Sequence, residues 1–69
     1  EQRHVEEVML GVRMADGLPL DRLTEPGRAA AVRSVADGLL DPSAHAAGRA
    51  VLTLRGRLLA DAVVRDLLA

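Results

Sequence analysis

Val5, Val8, Met9 and Val12 recur every three or four positions, the spacing that lines one side of an α-helix. Glu6 and Glu7 stand near its start, where carboxylates meet the positive end of the helix dipole. The pattern predicts a helix from about Gln2 to Asp16, stopped by Gly17. Leu18-Pro19-Leu20-Asp21 reads as a connector, with Asp21 placed to cap a one-turn helix through Arg22-Leu23-Thr24 before Glu25-Pro26-Gly27 interrupts it. The alanine-rich stretch from Arg28 to Asp37 puts Ala29, Val32, Val35 and Ala36 along one side of a further helix, ending at Gly38.

Past Gly38 the period changes. Leu39-Leu40-Asp41 and Arg49 to Leu54 read as two short strands around a loop, Pro42 to Gly48, that is too small and polar to be core. Thr53 is a good N-cap, and Arg55 to Leu68 carries Gly56, Leu59, Ala60, Val63 and Leu67 along one helical side. A glycine inside a helix costs about 1 kcal/mol against alanine, so Gly56 suggests that another backbone passes close by. Arg57, Asp61 and Arg65, four apart, form a charge ladder on the water side. Helix, short helix, helix, hairpin, helix is the order of a winged-helix domain: mainly α, three helices, a short β-hairpin wing and a C-terminal helix. A plain bundle whose hairpin is only a loop is the alternative architecture.

Size limits what this chain can hide. A domain of 69 residues buries only about 60% of its unfolded surface. It has no cysteine, hence no disulfide framework and no thiolate metal site, which fits a cytoplasmic location. No apolar run approaches the roughly eighteen residues needed to cross a bilayer, and no basic-then-apolar leader precedes the first helix. Phe, Tyr, Ile, Asn and Lys are absent and every basic residue is arginine. Those five have AT-rich codons, so the bias points to a GC-rich bacterial gene before it points to any function. Glu1 is not an initiator methionine, and the expectation is a piece of a longer protein.

Catalysis finds no constellation. There is no Ser-His-acid arrangement, no glycine-rich phosphate loop, and only His4 and His45 as imidazoles. His4 and Glu7 share a helical face, but a metal site needs more ligands. Met9 and Met14 could serve as thioether ligands, but Met9 falls in the apolar stripe and reads as a packing group first. Nucleic acid is the natural partner of a winged helix, and the water-facing positions of the Arg28–Asp37 helix would be Ala30, Arg33, Ser34 and Asp37. A net charge of −1 argues against it, since DNA-binding modules show a basic face; Arg28, Arg49, Arg55 and Arg57 are the arginines that a wing would gather. Leu10 and Met14 project opposite the predicted core stripe of the first helix. Either the helix is buried on two sides, or the pair belongs to a docking surface.

Several stretches carry a family resemblance: Glu7-Val8-Met9-Leu10-Gly11-Val12-Arg13-Met14, Asp16-Gly17-Leu18, Asp37-Gly38-Leu39-Leu40, and Leu52-Thr53-Leu54-Arg55-Gly56-Arg57-Leu58-Leu59. Together they resemble the C-terminal domain of radical-SAM proteins related to oxygen-independent coproporphyrinogen III oxidase, on the side of the haem chaperone (HemW) branch. The resemblance implies a single C-terminal accessory domain, residues 1–69, of a longer protein that is an oxidase or a haem chaperone. The parent's 4Fe-4S cluster, its S-adenosylmethionine and any bound haem would be held elsewhere, because none of the family's cofactor motifs occurs in this stretch. It also implies that the domain packs on the N-terminal radical-SAM barrel of the same chain and helps enclose substrate or haem. Leu10, Arg13 and Met14, inside the family-like segment, are the candidate surface for that contact. In an isolated fragment the same surface would be wet or covered by self-association.

Overall fold

The computed structural model describes residues 2–69 and shows a mainly α domain with one two-stranded antiparallel sheet. Its elements are α1 (Gln2–Gly11), β1 (Leu18–Pro19), a 3-10 turn (Leu20–Arg22), α2 (Glu25–Ala36), α3 (Pro42–Ala46), β2 (Arg49–Ala50), α4 (Leu54–Leu58) and α5 (Ala60–Leu67).

Helix α1 stops five residues before the predicted end. Arg13 and Met14 donate to carbonyls three residues back, tightening the chain into turns. The turns bring Leu18 back across the helix, so close that a Cβ on Gly11 would lie 2.8 Å from its Cδ1. Val8 and Val12 are fully buried, as the stripe predicts, but Val5 and Met9 lie at its edge, 36% and 38% exposed.

Helix α2 corrects two expectations. Glu25-Pro26-Gly27 is its first turn and not an interruption. Thr24, extended at the N-cap, accepts from the Gly27 amide at 3.1 Å, while proline in the first turn gives up an amide that has no helical partner there. Asp21 sits in the 3-10 turn and caps nothing. The second correction is the buried face: Gly27, Ala30, Ala31 and Ser34 point inward, whereas Ala29 and Ala36 are exposed, Val32 is 56% exposed, and only Val35 packs partly on the core. The inward residues are the smallest ones because α5 comes very near. A Cβ on Gly27 would stand 2.5 Å from the Leu67 carbonyl oxygen, and the Thr24 hydroxyl donates to the Ala69 carbonyl at 2.7 Å.

The strand pairing is partly as expected. Leu40 and Leu52 form an antiparallel bridge, flanked by Asp41 N–H to Val51 carbonyl (2.8 Å) and Thr53 N–H to Leu39 carbonyl (3.0 Å). The named sheet, however, pairs β2 with β1, Leu18 opposite Ala50 and Pro19 opposite Arg49, so the connector read from Leu18-Pro19 is a strand. The Pro42 to Gly48 tip is no plain loop either: Asp41 caps α3 through its carboxylate, which accepts from the Ala44 amide at 2.8 Å, with Pro42 next in the chain. The core closed beneath this sheet is built from leucine, valine and alanine, with Leu40, Leu67, Val8, Val12 and Val63 the largest fully buried side chains.

Thr53 caps α4 as predicted, accepting from the Gly56 amide at 2.9 Å and donating to the Gly38 carbonyl at 2.6 Å. The single helix expected from Arg55 to Leu68 is instead two, interrupted at Leu59 (φ −116, ψ 28). Gly56 holds α4 against the Leu39 carbonyl, and Ala60, Val63, Val64 and Leu67 hold α5 in the core; the interruption lets both contacts form. Replacing Thr53 by alanine removes both hydrogen bonds, and we expect a loss of about 1–2 kcal/mol in urea unfolding, with Thr53→Ser recovering most of it.

Candidate docking surface

With Val8 and Val12 fixed in the core, helical geometry turns Leu10 to the far side of α1. Leu10 is 62% and Met14 63% exposed, so α5 does not cover them and the two-sided burial reading fails for this pair. Arg13 is exposed between them in sequence, its guanidinium donating to the Met9 carbonyl one turn back.

Leu10 and Arg13 border different clefts. Leu10 borders an open cleft with Arg3, His4, Glu7 and Arg22, whereas Arg13 borders a second cleft of about 380 Å³ whose other walls come from α4 and α5, among them Arg57, Leu58, Leu59, Asp61 and Arg65. In the first cleft Glu7 is committed to Arg22, with Oε2 2.7 Å from its Nε, and stands 3.9 Å from His4 Nδ1. The i, i+3 neighbours His4 and Glu7 therefore do meet, but as part of an ion-pair group. His4 Nε2 is buried without a hydrogen-bond partner.

Metal and cluster chemistry do not fit these residues. The chain has no thiolate, and among the described residues no group of three or more His, Asp or Glu side chains converges. His45 lies in α3, half-buried and away from His4's ion-pair group. Met9 is 38% exposed, so its packing role is smaller than the stripe suggests.

The positions that a DNA-reading α2 would present do not form one face, because Ala30 and Ser34 are 1% and 3% exposed. Arg28 is engaged with the Leu23 carbonyl at 2.6 Å, and Arg49 reaches the Asp16 carbonyl only at 3.5 Å. Among the described residues no helix is long and apolar enough to cross a membrane.

Sequence reasoning missed the largest apolar exposure on the molecule. Leu54 and Leu58 are each 79% exposed and Leu59 47%, though Leu59 was expected in the core. The signal was there: Leu54 and Leu58 stand four apart on α4, away from Gly56, which is buried.

Comparison with known proteins finds relatives of the chain. The chain is 57% identical over 65 residues to the protein named "Heme chaperone HemW" in two strains of Mycobacterium tuberculosis, CDC 1551 / Oshkosh and H37Rv. The match takes in 94% of this chain and 16% of theirs, so the chain spans about a sixth of the relatives' length. No family model and no solved structure matches. An identity of 57% across 94% of this chain makes it a homologue of the C-terminal part of HemW, the protein named as a haem chaperone.

Proposed function

We propose that this chain is the non-catalytic C-terminal accessory domain of a radical-SAM haem chaperone, and that it works by packing on the barrel and helping to enclose haem or substrate. The observation that carries the reading is the exposure of Leu10 and Met14 within a chain 57% identical to the C-terminal part of a haem chaperone. Large apolar side chains left in water on one side of a small domain are stabilised when a second surface covers them, by about 1.5–3 kcal/mol each when fully buried. The 4Fe-4S cluster and S-adenosylmethionine belong, on this reading, to the barrel, and the cytoplasm is the compartment that suits such a parent.

Replacing Leu10 and Met14 together with serine tests the docking. In the isolated chain we expect a stability change within about 0.5 kcal/mol, as for other exposed positions. In a full-length haem chaperone carrying this domain, the same pair should loosen the domain from the remainder, seen as faster proteolysis at their junction. If the isolated chain instead loses several kcal/mol and the junction is unchanged, the two residues are ordinary packing groups and the reading fails.

A further inference from the structure

The cleft beside Arg13 has a character of its own. Three guanidiniums border it, from Arg13 after α1, Arg57 on α4 and Arg65 on α5, against one carboxylate, Asp61. The ladder expected of Arg57, Asp61 and Arg65 does not close: no ion pair at 4.0 Å or less links these three side chains. The cleft thus carries a local charge of three positive and one negative, +2 in all, on a chain whose net charge is −1, leaving −3 for the rest of the surface. Leu58 forms part of its wall, and Leu54 extends the same apolar ridge along α4.

Arginine is the side chain suited to a planar carboxylate, which it can hold through two parallel N–H···O bonds. A concave, cationic pocket edged by exposed leucines matches a protein segment in which an apolar side chain lies beside acidic ones. A lipid surface is a poorer match because the cationic patch is small and the rest of the chain carries −3. A second copy of this chain, approaching with the same face, would set guanidinium against guanidinium.

We propose that the cleft between Arg13, Arg57 and Arg65 receives an acidic, leucine-like edge on the remainder of the haem chaperone, so that the docking surface runs from α1 across α4 and is steered by charge. This inference rests on the docking reading given above and adds the chemistry of the opposing surface, which is carboxylates facing the arginines and an apolar group facing Leu58. Charge complementarity of this kind speeds and orients association and makes it sensitive to salt.

The test is a chimera of the M. tuberculosis HemW in which this chain replaces the segment it matches, with one fluorophore on the domain and one on the remainder to report docking by energy transfer. The expected result is docking that weakens as sodium chloride rises. The double reversal Arg57→Glu/Arg65→Glu should lower the docking equilibrium by about tenfold or more, and Leu58→Ser should also lower it. The isolated chain should keep its urea midpoint in every variant, since these side chains are exposed.

Docking that ignores both salt and the arginine reversal, but is lost on replacing Leu10 and Met14 with serine, overturns the acidic-edge inference and leaves the docking reading standing. No docking under any condition overturns both. Calorimetric titration of the isolated chain with M. tuberculosis HemW lacking the matched segment gives the same readout should the chimera not fold. If the isolated chain dimerises in sedimentation and the arginine reversal abolishes the dimer, the cleft belongs to a second copy and the inference is wrong.

Discussion

Gly56→Ala is expected to destabilise the domain by about 2–3 kcal/mol or more, a large fraction of what a chain this small can have. Helix propensity alone predicts the opposite, a gain of about 1 kcal/mol on replacing glycine by alanine. Sterics decide the sign. A Cβ at position 56 would overlap the Leu39 carbonyl oxygen, lie 2.9 Å from its carbon and 3.2 Å from Leu52 Cδ2. The first two are backbone atoms, so no rotamer change relieves them. Moving Leu39 away would stretch the bond its carbonyl accepts from the Thr53 amide at 3.0 Å, next to the cap that starts α4. Gly38→Ala is the control: its φ of +78 strains a Cβ, but nothing lies within 4 Å, so it should cost about 1 kcal/mol. Urea unfolding followed by circular dichroism reads both, and a Gly56→Ala midpoint at or above that of the parent would show that α4 does not press on Leu39.

Leu40→Ala should be the most damaging of the core truncations, by about 2–5 kcal/mol. Leu40 is 0% exposed and bridges Leu52, which is 4% exposed, and its neighbours on either side are tied by backbone bonds to Thr53 and Val51. The surroundings are therefore held in place and cannot collapse into the space left behind. The chain has no aromatic ring that could swing in to fill it. A domain of this length shifts its melting temperature by roughly 4–8 °C per kcal/mol, so the midpoint should fall by well over ten degrees or the fold should be lost. Leu58→Ala, at a position 79% exposed, should leave the midpoint nearly unchanged. Equal effects at the two leucines would contradict the core described above.

Two of the misread stretches have one cause. In Thr24-Glu25-Pro26, read as an interruption, and in Asp41-Pro42, read as the edge of a small polar loop, a proline lies just behind a capping side chain, where it begins a helix. The signal for both helices was legible, and the weight given to it was wrong. The docking trio shows a different limit. Leu10 and Met14 could be placed opposite the core from helical spacing, but that Arg13 faces Arg57 and Arg65 depends on where two later helices end up.

The features legible in the residues are local: the stripe through Val8 and Val12, the cap at Thr53, the chain reversal at Gly38, and the close backbone approach at Gly56. Each depends on groups within about one turn of chain, or on a conformation or contact that only one residue type accepts. Packing between distant elements selects which face of α2 is buried, which segment pairs with β2, and where the last helix breaks. An alanine-rich helix offers nearly equal apolar faces, and what selects between them is how closely a partner can approach. Here α5 presses its carbonyl end on Gly27, so the smallest residues turn inward and Val32 is left in water.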